Sequence, residues 1–339
     1  MVSKADASGR KAGAPPALRI GVIGAGIMGS NHARVLAGLP EATLVGIVDP
    51  LAEHRARATE LVGCRAFATL DELIAEGVDA VTIAAPTHLH HQIALACIAR
   101  DVHILVEKPI ASTVEEGNEI VDAARRAGVT LMVGHVERFN PAVAAIKQAI
   151  SGEDILSIGI TRVGPFPPRM SNVGVVIDLA VHDIDLIRWF TESDIVEVQP
   201  QLSSAVAERE DIALLQFRTA SGVLAHINTN WLTPFKARNV TVATRGKYVM
   251  GDLLTRQVTE CFGFKPDGSY SMRHLPVAYD EPLRAELIAF LHAARGGSAP
   301  AVTGDEGVAS LEIAIRCLET PAQPAANPQA RKGPRRVAG

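Results

Sequence analysis

The chain has 339 residues, 47% of them hydrophobic and 21% charged, with a formal net charge of -4. That length suffices for two domains with full cores, and the near-neutral charge argues against nucleic acid as a partner, since phosphate binding needs a basic surface. No apolar run reaches the roughly 20 residues of a membrane-spanning helix, and the N-terminal residues lack the apolar core of a signal peptide, so no membrane partner is expected.

In chain order, residues 1–16 read as a disordered tail. Residues 18–23 form a short apolar run ending in glycines, as a buried parallel strand does, and a helical pattern follows to Leu39. Further strands are predicted over 43–48, 80–84, 103–106 and 130–133, with helices over 90–100 and up to Ala127. This alternation implies a doubly wound parallel sheet covered on both faces. Beyond residue 150 the pattern changes. A strand over 156–163 and a helix over 178–190 precede strands over 196–207, 212–218, 223–230, 240–244 and 248–252, and helices over 281–295 and 307–318 close the chain. Consecutive strands imply a large, mainly antiparallel sheet. The expected division is a Rossmann domain over 17–140, a substrate-binding and oligomerisation α+β domain over 141–320, and a second disordered tail over 321–339, rich in Pro, Ala and basic residues. The four cysteines match no metal or redox spacing, which fits a reducing, cytoplasmic compartment.

Gly24-Ala25-Gly26-Ile27-Met28-Gly29 matches G-x-G-x-x-G between a predicted strand and a predicted helix, and Asp49 ends the second strand twenty residues later. In that context the motif signals a dinucleotide site. Gly24 permits the turn, Gly26 admits the pyrophosphate, Gly29 lets helix and sheet approach, and the helix N-terminus meets the anion. Asp49 accepts from the adenosine ribose and repels a 2′-phosphate, so NAD is favoured over NADP. Arg55 and Arg57 stand downstream, where a phosphate helper and a solvated helix face are both open readings.

Two more segments, Ala84-Ala85-Pro86-Thr87-His88-Leu89-His90-His91 and Val106-Glu107-Lys108-Pro109, follow predicted strands. A third, Asp178-Leu179-Ala180-Val181-His182-Asp183, lies on a predicted helix. With the glycine motif, these resemble the Gfo/Idh/MocA oxidoreductases over roughly residues 18–320. The resemblance implies Lys108, Asp178 and His182 as the catalytic group. It also implies cofactor contacts from Gly24, Gly26, Ile27, Met28, Gly29, Asp49, Pro86, Thr87, His90, Glu107 and Lys108. The chemistry agrees: oxidising a secondary alcohol needs a base, for which His182 serves, and a cation for the developing alkoxide, for which Lys108 serves. Asp178 and His182, four apart, share a helix face. Each also has a structural reading: Lys108 at a strand end, Asp178 as a helix cap, His182 in the core. Glu107 is expected to position Lys108 or the nicotinamide edge. His88, His90 and His91 offer no closed ligand set, so no metal is expected.

Segments 134–141 and 230–238 resemble a branch of the family that includes UDP-N-acetylglucosamine 3-dehydrogenases. The resemblance implies substrate contacts from Glu137, Arg138, Trp231 and Arg238, and by their charge Arg162, Arg169, Lys236 and Arg238 are available to a diphosphate. Trp231 reads as a sugar platform or as core. The expected function is NAD-dependent oxidation of a ring hydroxyl of a sugar, C3 of a UDP-N-acetylhexosamine. An inositol or free-sugar dehydrogenase, and a non-catalytic NAD-binding regulator, are the alternatives. A homodimer or homotetramer is expected, formed across a sheet face that lacks helices.

Overall fold

The computed structural model describes residues 16–167 and 173–320. Both expected tails, apart from Pro16, and Arg169 lie outside the described residues. The chain divides into two compact units, one of residues 16–136 with Glu281–Val308, the other of Glu137–Asp280 with residues 309–320.

The first unit holds a six-stranded, all-parallel sheet in the order β3-β2-β1-β4-β5-β6. Its strands are β1 (Leu18–Ile23), β2 (Ala42–Val48), β3 (Ala66–Phe67), β4 (Ala80–Ile83), β5 (His103–Glu107) and β6 (Leu131–Gly134). Helices α1 (Ile27–Ala37), α2 (Ala52–Val62), α3 (Leu70–Ala75), α4 (His90–Ile98) and α5 (Val114–Ala127) connect them. The strands β4 and β6 are buried at every position, which is why they read as unbroken apolar runs. Thr69 caps α3 through a capping box and Thr113 caps α5, while Gly63 and Gly128 end α2 and α5 in the left-handed conformation. The strand order reverses between β1 and β4, and ligands of such sheets bind outside the strand ends at that point.

Helix α8 (Pro282–Ala294) belongs to this first unit, whereas the sequence boundary grouped it with the second domain. The physical reason lies in its contacts. Glu281 pairs with Arg34 of α1. Arg295 donates to the carbonyl of Glu41 at 2.8 Å, and the amide of Val133 on β6 donates to Val302 at 3.1 Å. The segment returns to the sheet it left more than a hundred residues earlier.

The second unit is built on an eight-stranded sheet in the order β14-β13-β12-β11-β7-β10-β9-β8. The strands are β7 (Ile155–Pro165), β8 (Ile195–Ser203), β9 (Ile212–Thr219), β10 (Leu224–Asn230), β11 (Leu232–Thr244), β12 (Lys247–Asp252), β13 (Gln257–Phe262) and β14 (Ser271–Leu275). Only β7 and β10 run parallel. Alternation is regular: Ile158, Ile160, Leu215, Ile227, Val240 and Val249 turn inward onto α6 (Pro141–Ala149), α7 (Val181–Thr191) and α9 (Gly304–Glu319). The mainly antiparallel open sheet agrees with expectation. The strand predicted over 240–244 starts eight residues earlier, and β13 and β14 had no counterpart.

Candidate active site

The loop after β1 is shaped by its glycines. Gly24 has φ of +98°, and a side chain there would meet the carbonyl oxygen of Ala84 at 2.6 Å. A Cβ on Gly29 would collide with the carbonyl of Gly24, so α1 sits closer to the loop than any other residue allows. Gly26 is different: a Cβ there meets nothing within 4 Å, and the residue borders a cavity of about 570 Å³ with Gly24, Asp49, Leu51, Pro86 and Leu89. Helix α1 starts at Gly26 with no side-chain cap and no acidic residue in its first turn, leaving its N–H groups and dipole available to an anion. Ile27 and Met28 stand exposed at this helix start. A dinucleotide therefore fits: the loop and helix start would hold its pyrophosphate, and Asp49 its ribose.

Asp49 already accepts from the amides of Ala25 and Leu51, both at 2.9 Å, and stands 3.2 Å from His54 Nδ1. Burial opposes its charge, but these three donors outweigh burial and hold the carboxyl below its ordinary range. Arg55, read as a phosphate helper or a solvated residue, instead donates to the carbonyls of Asp49 and Pro50.

Other expected cofactor contacts divide. Pro86 lines the cavity, and Thr87 opens the short turn Thr87–Leu89 beside it. His90 is 1% exposed, and its ring nitrogens stand 3.0 and 2.8 Å from the carbonyl oxygens of Pro109 and Ala85. Burial lowers its pKa, so the neutral ring donates to one of them and ties two loops together. His91 faces Glu119 at 2.7 Å, so the histidine cluster diverges. Glu107 points inward, to His32 at 2.9 Å and to the amide of Lys108 at 3.2 Å, rather than to the cavity. Of the two roles expected for it, positioning Lys108 agrees with this geometry. Lys108 stands half-buried just past the end of β5.

In the second unit, Asp178 lies within a π-turn, Val176–Ala180, that runs directly into α7, and His182 opens α7. Both are partly buried. Single π-turns inside helices concentrate at functional sites. Below them is a buried ionic array. Arg162, 3% exposed, donates to both oxygens of Asp183 and, at 2.9 Å, to Glu137. Burial opposes the Arg162 charge, but these carboxylates outweigh it. Arg138 grips Asp185 at 2.7 and 2.6 Å. Glu137, Arg138 and Arg162 were expected to meet substrate. Their charged groups are instead spent on one another and on two helix aspartates, because a buried ion needs its partner. Of the two readings of Trp231, its burial agrees with the core one: it is 3% exposed and edge-on to Phe166. Arg238 is the exception. Its side chain remains 35% exposed, donates to Glu137 at 3.1 Å, and feels the charge of Asp178. Lys236, on the same strand, is exposed.

Sequence reasoning missed His54, Asp183, Asp185, His32 and Glu286. The aspartates carried a signal: two acidic residues among the apolar residues of a helix demand partners. Among the described residues, no helix is long and apolar enough to cross a membrane, and all four cysteines are free.

Comparison with known proteins agrees with this geometry. Residues 18–135 match the oxidoreductase family with an NAD-binding Rossmann fold, and residues 164–249 match the GFO/IDH/MocA C-terminal domain. The UDP-N-acetylglucosamine 3-dehydrogenase of Acidithiobacillus ferrooxidans is 32% identical over 70% of this chain and 74% of its own length. Inositol 2-dehydrogenase 2 of Saccharopolyspora erythraea is 30% identical over 89% of this chain and 93% of its own. A solved structure of the Acidithiobacillus enzyme superposes with a TM-score of 0.83 at 29% identity, covering 88% of this chain and 96% of that one. The chain belongs to the Gfo/Idh/MocA family of oxidoreductases and is an NAD-dependent dehydrogenase of sugar or polyol hydroxyls.

Proposed function

We propose that the chain oxidises C3 of a UDP-N-acetylhexosamine such as UDP-N-acetylglucosamine. The observation that carries this reading is Arg238: a guanidinium 35% exposed, on a strand that also exposes Lys236. A cation pair there suits a diphosphate, which a free polyol does not carry. The likeness to the Acidithiobacillus enzyme supports it.

In this reading His182 takes the hydroxyl proton and Lys108 steadies the oxygen as negative charge develops on it. Asp178 orients the imidazole or holds a neighbouring hydroxyl. Bound NAD supplies the hydride acceptor. The uncapped start of α1 would hold its pyrophosphate and Asp49 its adenosine ribose, and the inward-turned Glu107 fixes the backbone of Lys108.

A second reading, an inositol dehydrogenase, is favoured by one specific observation: the Saccharopolyspora relative matches 89% of this chain, against 70% for the UDP-sugar relative. Turnover with NAD on UDP-sugars, free sugars and inositols separates the two. Activity confined to inositols would overturn the first.

We also infer a cytoplasmic homodimer or homotetramer. The outer face of the eight-stranded sheet carries Leu214, Leu224, Tyr248, Met250 and Met272, each at least 37% exposed. Exposed apolar side chains on a sheet face without helices suit association with a second copy.

A further inference from the structure

Strand β5 ends at Glu107, opposite Gly134 of β6. Gly134 makes room for the carboxylate: a Cβ there would stand 3.0 to 3.1 Å from its atoms. His32, fully buried on α1, reaches one carboxylate oxygen at 2.9 Å, and the amide of Lys108 donates to the other at 3.2 Å. From the other side comes Glu286 of α8. It is 0% exposed, and neither of its carboxylate oxygens has a hydrogen-bond partner. Polar atoms of His32, Glu107 and Glu286 all lie within 4.8 Å of one another, a span that one bridging water covers.

Two carboxylates enclosed this closely cannot both stay ionised without compensation. The charge on Glu107 is already compensated, by His32 and by the neighbouring Lys108. Glu286 has no such help. Burial and then the charge of Glu107 act on it, and both favour its neutral form. The deficit is therefore a single charge, which one proton removes. A divalent cation would overcompensate it next to the Lys108 ammonium.

We propose that Glu286 is kept as a carboxylic acid facing the Glu107 carboxylate, and that the buried His32–Glu107–Glu286 array is a positioning device for the backbone of Lys108. Glu286 is a positioning residue, acting through Glu107. Its consequence for turnover rests on the reading of Lys108 above; its protonation does not.

The protonation is tested by melting the full-length protein and its Glu286→Gln variant from about pH 5 to about pH 9. The sign follows from linkage. The native carboxyl ionises above its ordinary value of 4.5, so between the two values the native state holds a proton that the unfolded state has lost. Stability then falls as pH rises through that interval. Glutamine lacks this penalty, so the variant should melt above wild type at pH 8 and the gap should close toward pH 5. A protonated-carboxyl stretch should be visible by infrared in wild type and missing in the variant. Should the variant not fold, Glu107→Gln serves instead, since removing the neighbouring charge should move the ionisation of that band to lower pH. A melting gap of the opposite sign at all pH values, or no such band, overturns the proposal. So does a divalent metal retained after dialysis whose removal by chelator lowers the melting temperature. For positioning, Glu286→Leu should lower kcat at least tenfold with KM for NAD within a few-fold, and Glu286→Gln should restore most of it. Wild-type turnover in a folded Glu286→Leu protein overturns the positioning role. If Lys108→Ala also keeps turnover, the Lys108 reading fails instead, while the melting series still decides the protonation.

Discussion

The amide of Ala25 donates to the Asp49 carboxylate at 2.9 Å, so one side chain joins the glycine loop after β1 to the end of β2. Asp49 thus fixes the glycine loop, and its remaining lone pairs would be available to the ribose of a bound dinucleotide. NAD should bind more tightly than NADP by about tenfold or more, because a 2′-phosphate would meet the charge of Asp49. Asp49→Ser should narrow that gap. It should also weaken NAD binding itself by about tenfold, since a bond worth roughly 1.4 kcal/mol is lost from the loop. Titrations of both cofactors decide the matter, and equal or tighter binding of NADP by wild type would remove the argument.

Lys108 stands past the end of β5, its backbone held by Glu107. If it acts on charge that develops at the substrate oxygen, Lys108→Ala should lose at least a hundredfold in kcat and leave NAD affinity within a few-fold. Steady-state kinetics with a separate NAD titration test this. Near-normal turnover would take Lys108 out of the chemistry.

The Rossmann half was legible because its strands are buried on both faces and its glycines have local jobs. Gly24 and Gly29 face backbone atoms a few residues away or on the neighbouring strand, so spacing alone locates them. Long-range pairing was not legible. Helix α8 looked like any helix of the second domain, because nothing in 281–294 names Arg34 or Glu107 as its partners. The same holds for Arg162, whose partner Asp183 lies 21 residues on and whose burial only the fold decides. Strand β14 was missed for another reason: it is exposed at four of its five positions, so it lacks the half-buried alternation by which strands are read.

Breaking the buried Arg162–Asp183 pair should cost far more than breaking a surface ion pair. Asp183→Ala leaves the Arg162 guanidinium buried with one partner fewer, and should cost about 3–5 kcal/mol. For a unit of this size the melting temperature should fall by roughly 10 °C. The array should also make the fold acid-sensitive. Burial opposes the charge on Glu137, but Arg162 and Arg238 outweigh it and hold its carboxyl below the ordinary 4.5. A depressed native pKa gives stability that is complete above the unfolded value and lost as pH falls through the native one. Glu137→Gln should therefore flatten the acid limb of a stability-versus-pH curve. A melting change under about 2 °C for Asp183→Ala would show that the array is not holding the unit together.

Leu224 and Leu214 stand 50% and 49% exposed on the outer face of the eight-stranded sheet. If that face carries the contact between copies, Leu224→Lys should place a charge in it and shift the protein toward monomer, with its far-ultraviolet dichroism unchanged. Light scattering during size exclusion reads the mass directly. A monomeric wild type would remove the oligomer inference altogether.

His182 opens α7 immediately after the π-turn that contains Asp178. As the base it must be neutral to accept the alcohol proton, so kcat/KM for oxidation should rise with pH through one ionisation and then level off. His182→Ala should lose about a hundredfold or more in kcat, the usual share of general acid–base catalysis, and the rising limb should disappear with it. Asp178 separates two versions of the mechanism. If its carboxylate only orients the ring, Asp178→Asn should keep more activity than His182→Ala and leave substrate KM near its wild-type value. If it also holds a substrate hydroxyl, KM should rise as kcat falls. The deciding measurement is the pH profile of wild type, His182→Ala and Asp178→Asn, with folding checked by circular dichroism. A folded His182→Ala protein with an unchanged rate and profile would exclude His182 as the base. Lys108, which must lose its proton to serve, would then be the group whose ionisation the rising limb reports.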